Sequence, residues 1–499
     1  MGVKSLLIKP IAKYVSRVNA DAFSQAVARQ EETFRLLIAQ AATTQFGNDH
    51  DFASIKSGAD FSQRVPVRDY EAFRSYIDQM VAGKADVLWP GLPTYLAKTS
   101  GTTSGMKYIP MTKASTPHHV KTARDALFAY VSRTGRSDIF DGEMLYLSGS
   151  PELTRTNGIR TGRLSGIVNH QIPNWIKGNK LPSAAINAID DWETKVNAIA
   201  DESLGKDLRL IGGIPPWVQM YYECVLEKTG AKTITDVFPN LTVFIYGGVN
   251  FSPYRSQLNA LVGKELDTVE TYPASEGFIA YQDGHEQEGM ILNTEAGIYY
   301  EFVVSDQISE ANPERLTLGQ VELGKNYAIV LTTNAGLWAY NIGDTVEFVS
   351  LDPYRLRVTG RIKHFISAFG EHVIAKEVER AMQVAADQLH LQINEFTVAP
   401  QVNPIEGLPY HEWFLATDDP PAQPEAFAKI LDQSMQEQNV YYRDLIQGNI
   451  LRPARVTILP GDAFRRYMES QGKLGGQNKV PRLSNDRNIA DQLMELRKY

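Results

Sequence analysis

The chain has 499 residues, and at roughly 150 residues per domain that length asks for about three folding units. Its 50 Lys and Arg stand against 58 Asp and Glu, a net charge of −8, so no global basic field exists to hold a nucleic-acid backbone or an anionic membrane, and a polyanion needs a local patch. Hydrophobic residues at 43%, aromatic at 10% and charged at 22% exclude disordered, collagenous and coiled-coil chains and describe one that buries a large core.

The N-terminus, MGVKSLLIKPIAKYVSRV, has its apolar run broken by Lys4, Lys9, Pro10 and Lys13 before it reaches signal-peptide length. Leu6 stands where a myristoylation signal needs Ser or Thr. No window approaches the roughly 20 apolar residues that cross a bilayer, so no membrane and no nucleic-acid partner is expected. Residues 21–41 place Phe23, Val27, Phe34, Leu37, Ile38 and Ala41 on one helical face with Asp21 as cap. From about 140 to 250, apolar runs ending in Gly (MLYLSG, LRLIGG, LTVFIYGG) alternate with helical patterns such as AAINAIDDWETKVNAIADESL, which predicts a parallel sheet. Cys224, the single cysteine, lies in the helical pattern WVQMYYECVLEKTG. It excludes an intrachain disulfide and fits a buried apolar role in a reducing, cytoplasmic setting.

Residues 298–349 change character: IYYEFVVS, QVELG, YAIVLTT, LWAYNIG and TVEFVSL read as closely spaced strands, a meander or small barrel. After RVTGRIKHFISAFGEHV come a helix (AKEVERAMQVAADQL), strands EFTVAP, HEWFLAT and RVTILP, and a helix from Ala426 to Gln438. Loops at Gln401–Pro409 and Asp418–Pro424 flank the middle strand. The predicted fold is α/β: a large N-terminal body of α/β subdomains with a small β-barrel-like part (1–360), then a hinged C-terminal α+β domain (361–499).

Five segments carry chemistry. Lys98-Thr99-Ser100-Gly101-Thr102-Thr103-Ser104-Gly105-Met106-Lys107 sets hydroxyls, glycines and a lysine in one turn. Close backbone approach, hydroxyl donors and one ammonium are what a triphosphate needs. No G-x-x-x-x-G-K-(S/T), G-x-G-x-x-G or G-x-S-x-G occurs, so the common NTPase, dinucleotide and hydrolase motifs lack support. Tyr246-Gly247-Gly248 ends a strand pattern, and Thr271-Tyr272-Pro273-Ala274-Ser275-Glu276-Gly277 follows. There an aromatic can stack on a base, a hydroxyl reach phosphate and a carboxylate hold Mg²⁺. Tyr340-Asn341-Ile342-Gly343-Asp344 sets a carboxylate where it can accept two ribose hydroxyls. Gly360-Arg361-Ile362-Lys363-His364 lies at the domain junction, and Gly472 to Arg482 is a basic glycine-rich loop around Lys473 and Lys479. Taken singly, each also fits an ordinary turn or a solvated loop. His118-His119 lacks the i, i+4 spacing and the acidic company of a metal site.

In this order and at these separations the segments resemble the adenylate-forming superfamily of acyl-CoA synthetases, luciferases and peptide-synthetase adenylation domains. Thr99 to Lys107 is similar to its phosphate loop, with Ser104 and Met106 replacing a Gly and a Pro. Tyr272 to Glu276 is similar to its Y-x-x-(S/T)-E signature, Tyr340 to Asp344 to its Y-R-T-G-D with Asn341 for Arg, and Gly360-Arg361 to its hinge. Within the superfamily, TTQFGNDHDFASI, the run from Phe61 to Gly91 and GGQNKVPR resemble the acyl acid-amido synthetases of the auxin-responsive promoter family, which join an amino acid to acids such as indoleacetate or jasmonate.

The resemblance implies a ligase using ATP and Mg²⁺ that adenylates a small carboxylic acid and passes the acyl group to an amine, acting as a monomer. It implies that Thr99, Ser100, Gly101, Thr102, Thr103 and Lys107 hold phosphates, that Glu276 holds the metal and that Ser275 touches the α-phosphate. Tyr272, Gly247 and Gly248 would line the adenine, Asp344 with Arg361 the ribose, and Lys479, carried by domain rotation, would be catalytic. An acyl-CoA or acyl-carrier ligase and a non-catalytic nucleotide-binding scaffold are the alternatives. The region from about 115 to 240, where an acyl pocket is expected, carries no match, and Arg124 there fits a substrate carboxylate or a solvated helix face equally well.

Overall fold

The computed structural model describes all residues except Met1, 103–104, 172–177, Asp190, 249–250, 363–364, Ser367, His372, Gln392, Asp419, Ala422, 472–479 and 497–499. Its centre is one 12-stranded sheet. In spatial order the strands are Lys180–Leu181, Glu143–Tyr146, Leu208–Gly212, Val243–Gly247, Asp267–Ala274, Gly277–Tyr281, Met290–Leu292, Tyr354–Arg361, Tyr340–Leu351, Asn326–Thr333, Ile298–Val304 and Leu316–Thr317. The first five run parallel, and from Gly277–Tyr281 onward every neighbour is antiparallel.

The parallel strands read as continuous apolar runs because both faces are covered. Leu210, Val243 and Val269 point to the Thr116–Thr134 helix, with Ala126 and Tyr130 in the same cluster. Their neighbours Ile211, Phe244 and Tyr246 pack with Tyr222 and Leu258 from the Pro215–Thr229 and Ser252–Val262 helices. The period of two in side-chain direction thus loads both layers. A second sheet joins Gly105–Met111, Tyr95–Thr102, Ile159–Gly162 and Thr154–Thr156.

The C-terminal domain has its own three-stranded sheet, Glu395–Gln401, Tyr410–Thr417 and Arg455–Pro460. Trp413 and Leu415 face the Ala375–Leu389 and Pro424–Gln438 helices, while Phe414 and Ala416 face Phe464 and Leu493 on the other side. The apolar cluster under its first face is continuous with that under the parallel strands of the body. Polar contacts reinforce it: the Tyr254 hydroxyl donates to the Ala368 carbonyl at 2.8 Å, and Arg163 pairs with Asp444 at 2.7 Å.

Three local expectations change. The helix read over 21–41 is two helices, Val3–Phe23 and Ala26–Ala41, and Asp21 lies inside the first. The break at Ser24-Gln25 lets Phe23 pack against Tyr281 while Phe34 packs against Phe61 in a different core, which one straight helix cannot do. QVELG is not a strand; a short Leu318–Gln320 turn precedes it, capped by Gln320 on the Thr317 N–H. LWAYNIG and TVEFVSL share one strand, Tyr340–Leu351, bent by a register shift against Ala328 to Val330.

Glu301 and Arg315, both buried, form an ion pair, and Arg315 also donates to the Val65 carbonyl at 2.6 Å. Removing one partner strands the other charge in the interior. Glu301→Ala is expected to lower unfolding free energy by about 3–5 kcal/mol, read as a lower urea midpoint at unchanged slope; a loss under about 1 kcal/mol would show that the pair is solvated.

Candidate active site

The hydroxyl- and glycine-rich motif is the tip of a hairpin. Tyr95–Thr102 and Gly105–Met111 pair with Thr99 opposite Lys107 and Thr102 opposite Gly105, after a register shift. The backbone of Ser100, Gly101 and Thr102 lies in the strand, while Thr103 and the Ser100 and Thr102 side chains lie outside the described residues. The Lys107 ammonium sits 5.5 Å over the ring of Tyr70, and the Tyr108 N–H donates to the Tyr70 hydroxyl at 2.9 Å. Burial pushes the Tyr70 phenol up, so its ring presents a neutral π face to the cation.

The second motif is built at the point where the sheet changes from parallel to antiparallel. Gly247 ends its strand beside Thr271, and a Cβ there would lie 2.2 Å from the Thr271 carbonyl oxygen, so only glycine fits. Gly248 follows at φ +76°. Tyr246 packs on Phe251 with ring centres 4.6 Å apart and belongs to the core. Ala274 pairs with Gly277 across the sheet, making Ser275 and Glu276 the two-residue tip of a hairpin.

The second and third motifs meet. The Tyr272 hydroxyl donates to Asp344 Oδ2 at 2.6 Å, and the two residues are 7% and 5% exposed. Asp344 lies opposite Arg361 in the antiparallel pairing; the Arg361 side chain, Lys363, His364 and Lys479 are outside the described residues. Asn341 accepts the Gly343 N–H at 2.8 Å on its side-chain oxygen and so holds the turn, where Gly343 has φ +89°.

Reasoning from sequence missed the segment that joins the first and third motifs. Arg68 donates its N–H to the Ala339 carbonyl and accepts the Asn341 N–H, at 3.0 and 2.8 Å, and two residues on Tyr70 props the hairpin. The Val67-Arg68-Asp69-Tyr70 stretch therefore sets the hairpin against the Asp344 strand, with Phe73 on the Tyr340 ring at 5.8 Å. Such a role rests on backbone hydrogen bonds, which no residue type advertises. Tyr441, on the Val440–Gln447 helix of the C-terminal domain, donates to the Lys98 carbonyl at 3.5 Å, just ahead of Thr99.

Arg124 is bound to its neighbour Asp125 at 2.6 Å and stacks on Phe128. His119 is buried, which drives its pKa down to about 4 and keeps it neutral. No group of three or more His, Cys, Asp or Glu able to hold a metal occurs among the described residues. A cleft of about 70 Å³ between the domains, lined by Met220, Tyr254, Val402 and Leu408 among others, contains none of the candidate residues.

Profiles of the GH3 family N-terminal, central and C-terminal domains match residues 18–180, 291–361 and 376–488. The chain belongs to the GH3 family. The N-terminal match carries the Thr99–Lys107 hairpin, the central match carries Asp344 and Arg361, and the C-terminal match carries Lys479, while Gly247 to Gly277 fall between matches. The chain is 26% identical to indole-3-acetic acid-amido synthetase GH3.3 of Arabidopsis thaliana over 52% of its own length and 46% of that protein, so that alignment spans about half of the relative. It is 22% identical to jasmonoyl--L-amino acid synthetase JAR4 of Nicotiana attenuata (64% and 66%) and to indole-3-acetic acid-amido synthetase GH3.4 of Arabidopsis thaliana (97% and 94%). In fold it is similar to GH3.15 acyl acid amido synthetase, with TM-score 0.61 at 15% identity over 97% of this chain and 96% of that one. It is also similar to 2-hydroxyisobutyryl-CoA ligase, with TM-score 0.52 at 14% identity, 97% and 92% covered.

One titrating group beside the site had no sequence signal. Glu270 stands opposite Tyr246 in the parallel pairing, and burial, aided by the Glu286 carboxylate and opposed by Arg357 and Arg255, raises it from 4.5 to about 7. A carboxyl raised on folding adds stability that is complete below about pH 4.5 and is lost as pH rises through 7. Thermal melts from pH 4.5 to 8 are expected to fall in the parent relative to Glu270→Gln, by up to about 3 kcal/mol; parallel curves would mean Glu270 is solvated.

Proposed function

We propose that this chain is an ATP-dependent acyl-acid amido synthetase. In the first step the carboxylate of a small organic acid attacks the α-phosphorus of ATP, forming the acyl–phosphate bond as the bond to pyrophosphate breaks. In the second an amine, such as that of an amino acid, attacks the acyl carbon, giving an amide and AMP with loss of a proton. The observation that carries this reading is the Tyr272–Asp344 hydrogen bond, which unites two motifs 72 residues apart in a chain matched by GH3 profiles for all three domains.

Each candidate residue has a task in this reading. The N–H groups of Thr99 to Thr103 and the Lys107 ammonium would hold and neutralise the departing phosphates. Ser275 would reach the α-phosphate from the hairpin tip beside Glu276. Tyr272 and the side-chain-free edge at Gly247-Gly248 would line the adenine, and Asp344 would take the ribose hydroxyls with Arg361 nearby. Lys479 would meet the negative charge growing around the α-phosphorus. Mg²⁺ takes one or two carboxylates and completes its shell with phosphate oxygens and water. Glu276 would hold it, and the metal would supply charge neutralisation to the triphosphate. Turning of the C-terminal domain near residues 360–364 would clear Lys479 for the amine while closure keeps water from the labile adenylate. The single cysteine and the lack of a described helix long and apolar enough to cross a membrane support a cytoplasmic enzyme, and we read it as a monomer.

A second reading, transfer to coenzyme A, is favoured by the fold it shares with 2-hydroxyisobutyryl-CoA ligase. A pyrophosphate-release screen of carboxylic acids crossed with amino acids or thiols separates them. Amide with AMP is expected; thioester alone would establish the second reading, and no release with any acid would leave only nucleotide binding. In the same assay Lys479→Ala is expected to retain ATP binding and to slow adenylate formation by on the order of a hundredfold. Adenylate at the parent rate would remove Lys479 from the reaction.

A further inference from the structure

The Val3–Phe23 helix has two apolar faces, and the body uses one. Ile8, Ala12 and Phe23 are buried in the cluster beneath the parallel strands. A second stripe points to solvent: Leu7 is 60% exposed, Ile11 49%, Tyr14 70% and Val18 47%. Steps of four, three and four residues put these side chains in one line on a helix. Leu6, 67% exposed, lies beside it. Scattered apolar residues are normal on a surface, but a continuous stripe points to a partner.

The charges around the stripe choose the partner. Residues 2–20 contain Lys4, Lys9, Lys13 and Arg17 and no Asp or Glu, in a chain whose net charge is −8. At 100° per residue, Lys4 falls about 50° from the centre of the stripe on one side and Arg17 about 90° on the other, with Lys13 about 40° further round, while Lys9 falls on the opposite side of the helix. The Lys9 ammonium lies against Gly135 at the end of the Thr116–Thr134 helix. An exposed apolar ridge flanked by Lys4 on one side and by Arg17 and Lys13 on the other, on a stretch with no acidic residue before Asp21, is the pattern of a helix lying in the plane of an anionic bilayer surface, where the stems bury and the charged heads meet phosphate. A second copy of this chain fits less well, because a twofold contact through the stripe sets Lys4, Lys13 and Arg17 against identical cations. No described helix is long and apolar enough to cross a membrane, so the contact is with the surface. The GH3 N-terminal match begins at residue 18, so the stripe up to Tyr14 lies ahead of it.

We infer that the solvent-facing stripe of the Val3–Phe23 helix docks this protein on anionic lipid bilayers. The inference stands independently of the acyl-acid amido synthetase reading.

The test is flotation of the full chain with vesicles of phosphatidylcholine alone or containing about 30 mol% phosphatidylglycerol. Binding to the anionic vesicles is expected to exceed that to neutral ones by at least about tenfold and to weaken with salt. Leu7→Glu with Ile11→Glu is expected to lower it at least about tenfold. Lys13→Gln with Arg17→Gln should lower it about fivefold per charge. Circular dichroism confirms the fold of each variant, and Tyr14→Ser gives a milder change at the same stripe. Equal binding to neutral and anionic vesicles, or parent-level binding by the Leu7/Ile11 variant, would overturn the inference. So would a dimer in light scattering that the Ile11→Glu variant dissociates, which would assign the stripe to a second copy.

Discussion

A carboxylate that is 5% exposed has to be held by donors, and the Tyr272 hydroxyl is one of Asp344's, at 2.6 Å. That bond spans the sheet, from the last parallel strand to the antiparallel meander, and so fixes how the two halves meet. Its neighbours are arranged to permit it. Gly247 carries no side chain because the Thr271 peptide closes on that position, and Asn341 closes the turn that brings Asp344 round. The Arg68–Tyr70 segment then sets the Lys107 hairpin against the same strand. The proposed nucleotide site is the place where these constraints coincide.

The C-terminal domain is coupled to the body more by apolar contact than by charge. Arg163–Asp444 and the Asn449–Glu193 hydrogen bond are exposed, and exposed pairs of this kind contribute roughly 0–1 kcal/mol each. The shared cluster, from Phe244 and Tyr254 through Phe369 to Trp413 and Tyr442, contributes more and has to re-form if the domain turns. The anchors lie close together in sequence. Ala368 is held by Tyr254 of the body, whereas Glu371 is held by His411 at 2.8 Å within the C-terminal domain, both side chains fully buried. A contact to the body and a contact internal to the C-terminal domain thus lie three residues apart, both beyond the 360–364 junction.

Much of the architecture was legible because it follows from local rules. The apolar runs ending in Gly became the parallel strands, and the AKEVERAMQVAADQL pattern became the Ala375–Leu389 helix. The errors came where tertiary packing overrode periodicity. Phe23 and Phe34 share a helical phase yet serve two cores, so the chain breaks between them. The Val321-Glu322-Leu323 stretch alternates like a strand but makes a single bridge to the sheet, Leu323 to Phe348, and does not extend into a ladder. Of the site, the chemistry-bearing residue types were readable, and Tyr70, Arg68 and Glu270 were not. The first two act by position and by backbone groups, and the third by a burial that depends on Arg255, Glu286 and Arg357, which come from other elements.

By itself the sequence determined the inventory: an acidic chain with its candidate phosphate-binding lysines confined to short loops, motifs in an order that resembles an adenylate-forming enzyme, and the division into a large body and a small α+β domain. Composition and spacing are one-dimensional properties, and a linear reading recovers them. Tertiary structure alone decided which of those residues meet. It made Tyr272 and Asp344 partners, turned a presumed loop into a hairpin tip propped by Tyr70, and left one apolar stripe of the first helix facing water. Each depends on distances between residues far apart in the chain, which no local pattern encodes.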